Sequence, residues 1–414
     1  GYYALKETTT SGHNTGVGYN ALTANTTGDA NTAVGSAALA ANTTAGANVA
    51  VGANAADANT TGASNVAVGY DSFTENTTGS QNIAIGRESL AANTTADNNI
   101  AIGYKAAKVV TTGAENIGIG NSSLLALTTG TRNIAIGNYA LDVITTASDN
   151  VAIGYGVLTN STSSQNTAVG HWALNANSTG GTNTAIGYLA LTTNTTGASN
   201  TALGYDALRY NTTASNNTGL GVNALTATTS GSGNSAVGSH SLAANTTGTE
   251  NVAFGYDSLK SSTTASNNTA IGKGSLQATT TGDRNTALGS DALYTNQQGD
   301  RNVALGYGSL KTMNPSGNAD TMNVAVGYNA LEATTTGVNN TAVGGYVMQS
   351  NTTGTDNVAV GEQALVSNTT GNRNVALGAN TLDNNTTASD NVAVGHAALD
   401  VNTTGSDNTA IGSY

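Results

Sequence analysis

Asparagine and glycine recur in fixed phase along this chain, and that recurrence limits the fold more than any other property. Aligned on Asn-x-(Ala/Gly)-apolar-Gly, the sequence contains 24 starts, from Asn14 to Asn408. Steps of 17 residues run from Asn14 to Asn150 and from Asn166 to Asn302, then from Asn323 onward. The two exceptions are a 16-residue step from Asn150 to Asn166 and a 21-residue step from Asn302 to Asn323. The consensus is N-(T/V/I)-A-(V/I/L)-G-Y-x-A-L-x-x-N-T-T-G-x-x, with positions numbered from the first Asn. An internal period of this kind is the mark of a solenoid or array.

Seventeen residues that include Gly and NTTG are too few for the helix pair of a helical repeat. Positions 2 to 4 alternate β-branched, small and β-branched residues, as a short strand does. Gly at position 5 fits a corner or a close approach that a Cβ would block. A second short extended segment is expected at positions 8 and 9, and N-T-T-G reads as a turn. The predicted fold is all-β: a parallel β-solenoid, or β-roll, of about 24 coils with 17 residues each. At about 4.8 Å per coil it would be on the order of 115 Å long. The array is read as one continuous unit, 1–414, with an irregular coil at 150–165 and a loop insertion at about 311–322. The insertion holds the single proline.

Stacking turns every repeat position into a row. Asn65, Asn76, Asn82 and Asn93 are assigned to amide ladders, each side chain bonding the one above and the one below. Val68 and Ile85 belong to an apolar spine at position 4 and Leu90 to a second at position 9, with Gly69 and Gly86 as corners. Position 6 carries a broken stripe of exposed or mutually packed tyrosines: Tyr19, Tyr70, Tyr104, Tyr155, Tyr188, Tyr205, Tyr256, Tyr307 and Tyr328. Position 2 mixes Thr, Val and Ile and is read as buried. Two large apolar side chains per coil are few for 17 ordered residues, so burial of the spines between chains is expected. The restriction of position 3 to Ala or Gly implies a close neighbour there, either the opposite side of a thin coil or another chain.

The segments NTAVG, NIAIG and NTAIG resemble the head repeats of trimeric bacterial autotransporter adhesins. The longer unit, as in NTAIGYLALTTNTTG, is similar to the repeat arrays of phage and bacterial tail-fibre-type proteins. The adhesin heads use a shorter repeat, and NTTG has no counterpart in them. The resemblance implies a homotrimer of packed or intertwined β-rolls, excerpted from a longer fibre protein on a virion tail or bacterial surface. The expected function is a structural or adhesive shaft that spaces or presents receptor-binding elements. Expected partners are further copies of the chain and a cell-surface glycan or receptor, with Tyr70, Tyr104, Tyr155, Tyr188, Tyr205, Tyr256, Tyr307 and Tyr328 as the glycan-facing aromatics. A self-assembling extracellular filament and an ice- or carbohydrate-binding solenoid are the alternatives.

Composition narrows the chemistry. A net charge of −12 without a basic cluster disfavours nucleic acid and anionic membranes as partners. There is no cysteine, and no apolar run approaches the ~18 residues of a membrane span. His13, His171, His240 and His396 are dispersed, and no catalytic set is assembled from them, so no enzyme activity and no cofactor is expected. Single carboxylates near the closing turn, such as Asp29, Asp149, Asp283 and Asp390, invite a calcium reading. Arginines at the same turn (Arg132, Arg284, Arg301, Arg373) favour solvated charges instead. The NTT sequons, among them Asn25, Asn42 and Asn59, read as an Asn ladder rather than as glycosylation sites. The two threonines of each NTT are adjacent and should point opposite ways, which disfavours a flat threonine surface.

Overall fold

The computed structural model describes residues 1–413. It is an all-β parallel solenoid of about 23 coils at roughly 17 residues per turn, with no helix among the described residues. Two compact units are present, Gly1–Asn200 and Thr201–Tyr414, although the repeat continues through residue 200 in sequence. The first carries strands β1 (Thr15–Val17) to β11 (Thr184–Ile186), and the second β12 (Thr201–Leu203) to β26 (Thr409–Ile411).

The three-residue strands occupy positions 2 to 4. Within each unit, successive position 2–4 strands pair in parallel with a register of one repeat, as in Val66↔Ile83 and Ala67↔Ala84. Both irregular steps keep this register. The 16-residue coil pairs Val151 with Thr167, its missing residue being absorbed in the turn, where Ser163 Oγ donates to the Gly180 carbonyl at 2.7 Å. The 21-residue step pairs Val303 with Val324 and loops the insertion outward. That loop is tied down by β18 (Gly299–Asp300) on β20 (Ala319–Asp320), a two-residue pairing not anticipated from sequence.

Alternation along the strand puts position 3 inside and positions 2 and 4 outside. Ala67, Ala84 and their equivalents are buried beside position 9 residues such as Leu90. The close neighbour of position 3 is the same coil: a methyl on Gly118 would lie 3.3 Å from Leu124 Cδ1 and 3.2 Å from Ser123 Oγ. Thin coils, not a second chain, therefore keep this position small.

The corner is equally tight. Gly69 has φ +139°, and a Cβ there would lie 2.6 Å from the Gly86 carbonyl oxygen of the next coil. The same approach recurs down the glycine row, which accounts for Gly at every fifth position.

Positions 8 and 9 are not extended as expected. Position 9 has φ near +50° (Leu90 +49°, Leu22 +51°), and positions 7 and 17 are left-handed too (Asp71 +53°, Gln81 +61°). Each such turn costs on the order of 1 kcal/mol for an L-residue. Neighbouring coils compensate by accepting the N–H groups. Leu90 N donates to Ala106 O at 2.9 Å, Glu88 N to Tyr70 O at 3.1 Å and Gln81 N to Ala63 O at 3.0 Å.

Both asparagine rows lie in the interior, but they are wired differently. In the second row, Asn93 Nδ2 donates to Asn76 Oδ1 at 2.9 Å, and Asn76 Nδ2 to Asn59 Oδ1 at 2.7 Å. In the first row, Asn65 Oδ1 accepts from both the main-chain N–H of Asn82 at 2.9 Å and its Nδ2 at 3.2 Å, so backbone and side chain share one ladder. The rows meet at the position 15 carbonyl: Gly79 O accepts from Asn65 Nδ2 at 2.9 Å and Asn76 Nδ2 at 3.0 Å. The amide-on-amide expectation thus holds for both rows, and the first adds main-chain N–H donors to the same oxygens.

Where the second row changes chemistry, polar atoms are stranded. Asn93 Oδ1 precedes the apolar run Val110, Leu127 and Ile144, and Asn245 Oδ1 precedes Ser262; both oxygens are buried without a hydrogen-bond partner. Ser262→Asn should supply the missing amide to Asn245 and stabilise the second unit by about 1 kcal/mol in urea unfolding. Gly69→Ala should destabilise the first unit by roughly 2–4 kcal/mol through its clash and its φ. Gly345→Ala, with no atom within 4 Å of the added carbon, should stay within about 0.5 kcal/mol of the parent.

Candidate functional site

The ladder residues separate into an inside and an outside. Asn65, Asn76, Asn82, Asn93 and Leu90 are buried. Val68 and Ile85 are not: position 4 faces outward, with Ile85 36%, Leu203 42% and Phe254 56% exposed. This corrects the expectation of two buried apolar rows per coil. Position 2 is likewise half-buried to exposed, not interior. The reason is strand parity, since a residue flanking an inward alanine must point out. Each unit therefore bears a flat sheet face with a Thr/Val/Ile row beside a Val/Ile/Leu row, and no charged residue in either.

Beside this face runs position 6. All nine tyrosines there are exposed. Stacking at the coil repeat brings flat groups into register. His171 lies between Tyr155 and Tyr188 at centroid distances of 5.4 and 5.5 Å, each 13° from parallel. Tyr307 and Tyr328 stack at 5.4 Å. The Arg87 guanidinium lies 5.8 Å from the Tyr70 ring and 5.9 Å from that of Tyr104, a cation–π sandwich. Tyr205 and Tyr256 are exposed on the same row, Tyr256 edge-on to His240 at 6.1 Å. The tyrosines thus pack along the row and leave their edges to solvent.

Sequence reasoning did not foresee a groove between positions 7 and 10. Acids at position 7 pair across it with bases at position 10. Lys108 Nζ reaches Glu88 at 2.6 Å in the first unit; Arg209 reaches Asp206 at 3.1 Å and Lys260 reaches Asp257 at 3.2 Å in the second. The signal was present as acid/base recurrence at +3 or +20 residues, the same neighbour relation within a coil or on the next. The groove widens where side chains are short. In the first unit a cleft of about 500 Å³ is bordered by Asp57, Asp71, Glu75, Glu88 and Lys108.

Electrostatics in the groove follow burial and pairing. The Lys108 hydrogen bond holds the Glu88 carboxyl below the ordinary carboxylate range. Burial pushes the Asp57 carboxyl up, with the Asp71 charge adding to it, and burial alone raises Asp142. Asp142 Oδ1 is buried without a hydrogen-bond partner.

The remaining candidates resolve into surface chemistry. At the closing turn, Arg132 Nε contacts Asp149 Oδ1 at 2.6 Å and Arg373 Nε contacts Asp390 Oδ1 at 2.7 Å, one coil apart. These pairings hold both carboxyls below their ordinary range. Among the described residues, no group of three or more His, Cys, Asp or Glu could hold a metal ion. His13 lies 3.4 Å from Asp29, and His240 Nε2 is 3.2 Å from Asn223 Nδ2. The sequon asparagines Asn25, Asn42, Asn59, Asn76 and Asn93 are fully buried, so a glycosyltransferase could not reach them in the folded chain. Thr26 Oγ1 donates to the Thr43 carbonyl while Thr27 is exposed, so adjacent threonines do diverge. No helix among the described residues is long and apolar enough to cross a membrane.

Comparison with protein-family models gives no match, and comparison with curated proteins gives none either. The outward rows and the groove therefore carry the functional reading on their own.

The Asp142 carboxyl, raised by burial, opposes folding once it ionises. Its penalty is absent below the ordinary Asp value of 3.8 and grows as pH rises through the elevated folded value. Asp142→Asn should raise the unfolding midpoint at pH 7, and the gain should vanish by about pH 3.5. Thermal melts at the two pH values test this sign.

Proposed function

We propose that the chain is a structural and adhesive fibre shaft whose coils pack against further copies of itself through the outward position 2 and 4 rows, as a homotrimer. The observation that carries this reading is the uncharged apolar face on every strand. Monomeric proteins rarely leave contiguous apolar surface beyond a few hundred Å² uncovered. Each coil exposes roughly 100 Å² from these two rows, so the strands of one unit present about 1,000 Å², comparable to one partner's share of a stable interface. The rows repeat at the strand spacing of about 4.8 Å, and another copy offers ridges of that same spacing. Outward valines and isoleucines would then interdigitate along the whole contact.

As a shaft the chain performs no chemistry and needs no cofactor. Its work is to hold flanking elements at a distance, outside the cell, on a virion tail or a bacterial surface. This agrees with the resemblance of its repeats to adhesin heads and tail-fibre arrays. It also explains why the solvent-facing strand positions are more apolar than solubility alone would favour.

Light scattering coupled to size exclusion should give three times the chain mass. The triple variant Ile85→Lys, Ile102→Lys and Ile119→Lys should shift the first unit's contact toward monomer while leaving the circular dichroism spectrum unchanged. A monomeric parent overturns the assembly. Thermal hysteresis from such a monomer would put an ice-binding surface in its place.

A further inference from the structure

In the second unit the groove between positions 7 and 10 opens at Gly274 into a cleft of about 460 Å³. That size lies within the ~300–1,000 Å³ of small-ligand sites. The cleft exists because one side chain is missing from a row. Position 7 carries Asp257 and Asp291 on the coils either side, whereas Gly274 leaves a notch. Neighbouring groups converge on it. A carbon placed on Gly274 would lie 2.9 Å from Asp291 Oδ1, 3.4 Å from Gln277 Oε1 and 3.4 Å from Tyr294 Cδ2.

One wall carries the Asp257 carboxylate. Asp257 is 8% exposed, and Lys260 satisfies its Oδ2 at 3.2 Å. Its Oδ1 is buried without a hydrogen-bond partner. The nearest candidate, His240 Nδ1, is 3.8 Å away, beyond hydrogen-bond reach. That oxygen is closed off from the cleft on the His240 side, so Asp257 would meet a ligand through Oδ2, which it shares with Lys260.

Charge decides the ligand class. Asp257 and Asp291 oppose an anion, while Lys273 and Lys311 on the same cleft oppose a cation. What remains is a neutral ligand rich in hydroxyls, able to donate to carboxylates and accept from ammonium and amide groups. Tyr256 and Tyr294 border the cleft and supply ring surface for the C–H face of a pyranose. We propose that this notch binds a neutral saccharide, with Asp257 and Asp291 accepting from its hydroxyls. The site lies on turn positions apart from the sheet face, so it stands or falls independently of the assembly.

Saturation-transfer NMR on the full chain, with methyl glycosides of glucose, galactose, mannose and N-acetylglucosamine, tests the assignment. Inorganic phosphate and spermidine serve as charged controls. At least one glycoside should show transfer. Gly274→Asn fills the notch with a residue already found at this position in Asn223 and Asn329, and Asn tolerates the φ of +66°. It should weaken binding at least about tenfold with an unchanged melting curve. Asp257→Asn, which keeps the shape, should weaken it as well. Absence of transfer from every glycoside overturns the proposal, as does binding untouched by both substitutions or binding of phosphate or spermidine alone. Light scattering on the same samples reports assembly separately.

Discussion

The hydrogen bonds between one coil's turn and the next are the interaction on which everything else depends. Three residues per coil sit in the left-handed region, and their N–H groups have no partner within their own coil. Leu90, Glu88 and Gln81 each donate to a carbonyl one coil away. A solitary coil would carry the strain and leave the donors to water. Stacking removes both costs together, so the coil is a stable shape only as one of many. The same bonds require backbones to approach closely, and the glycine row, with carbonyls 2.1–2.9 Å from where a Cβ would stand, is the consequence.

Once coils stack in register, every side chain meets its own kind above and below. This selects residues by whether they can satisfy themselves. Asparagine carries a donor and an acceptor, so a column of it can be buried and fully paired. Carboxylates and ammonium groups cannot be stacked this way, and they are absent from the asparagine rows. At the closing turn they offset by one coil to meet an opposite charge, as Arg132 meets Asp149. Apolar residues enter the second asparagine row as the run Val110, Leu127 and Ile144 and again at Met313, and the run strands one amide oxygen, that of Asn93, at its start. Three consecutive substitutions create no more breaks than one would.

Much of this was legible in the repeat: the coil, the glycine corner, the buried asparagine rows and the looped insertion. The outward direction of Val68 and Ile85 was not, because apolar residues flank an alanine symmetrically and the period-2 pattern does not say which set is inside. The identity of position 3 contained the answer. A coil whose inward strand residue is always Ala or Gly is too thin to admit two large rows, so the large residues beside it must face out. The left-handed turn at the A-L segment was also readable. Positions 7 and 9 never carry Val, Ile or Thr, whereas positions 2 and 4 are full of Val and Ile. β-Branched side chains are disfavoured at positive φ and favoured in strands. Their absence from the A-L segment marked a turn more reliably than the alternation marked an extended segment. The groove was harder to see because its walls are three residues apart within a coil and twenty apart between coils, and only the stacked geometry makes those separations equivalent.

The coil thus divides its perimeter by how freely each position can vary. Positions 1, 3, 5 and 9 answer to stacking and hold nearly constant chemistry, and position 12 is Asn in most coils. Positions 2 and 4 vary only among Thr, Ser, Val, Ile, Leu and Phe, a narrow range for side chains that face outward. Solvent alone imposes no such limit, since an exposed strand position tolerates charge, and the absence of charge from these rows points to a constraint from outside the coil. Positions 6, 7 and 10 range over Tyr, Trp, His, Arg, Lys, Asp, Glu, Asn and Gly. Main-chain bonds between coils recur there while the side chains differ from one coil to the next, some adding bonds of their own, as Thr226 Oγ1 does to the Asp206 carbonyl. A solenoid of this design can keep its sheet face uniform while writing distinct local chemistry along its groove, as the notch at Gly274 and the acidic cleft at Asp57 do on otherwise equivalent coils.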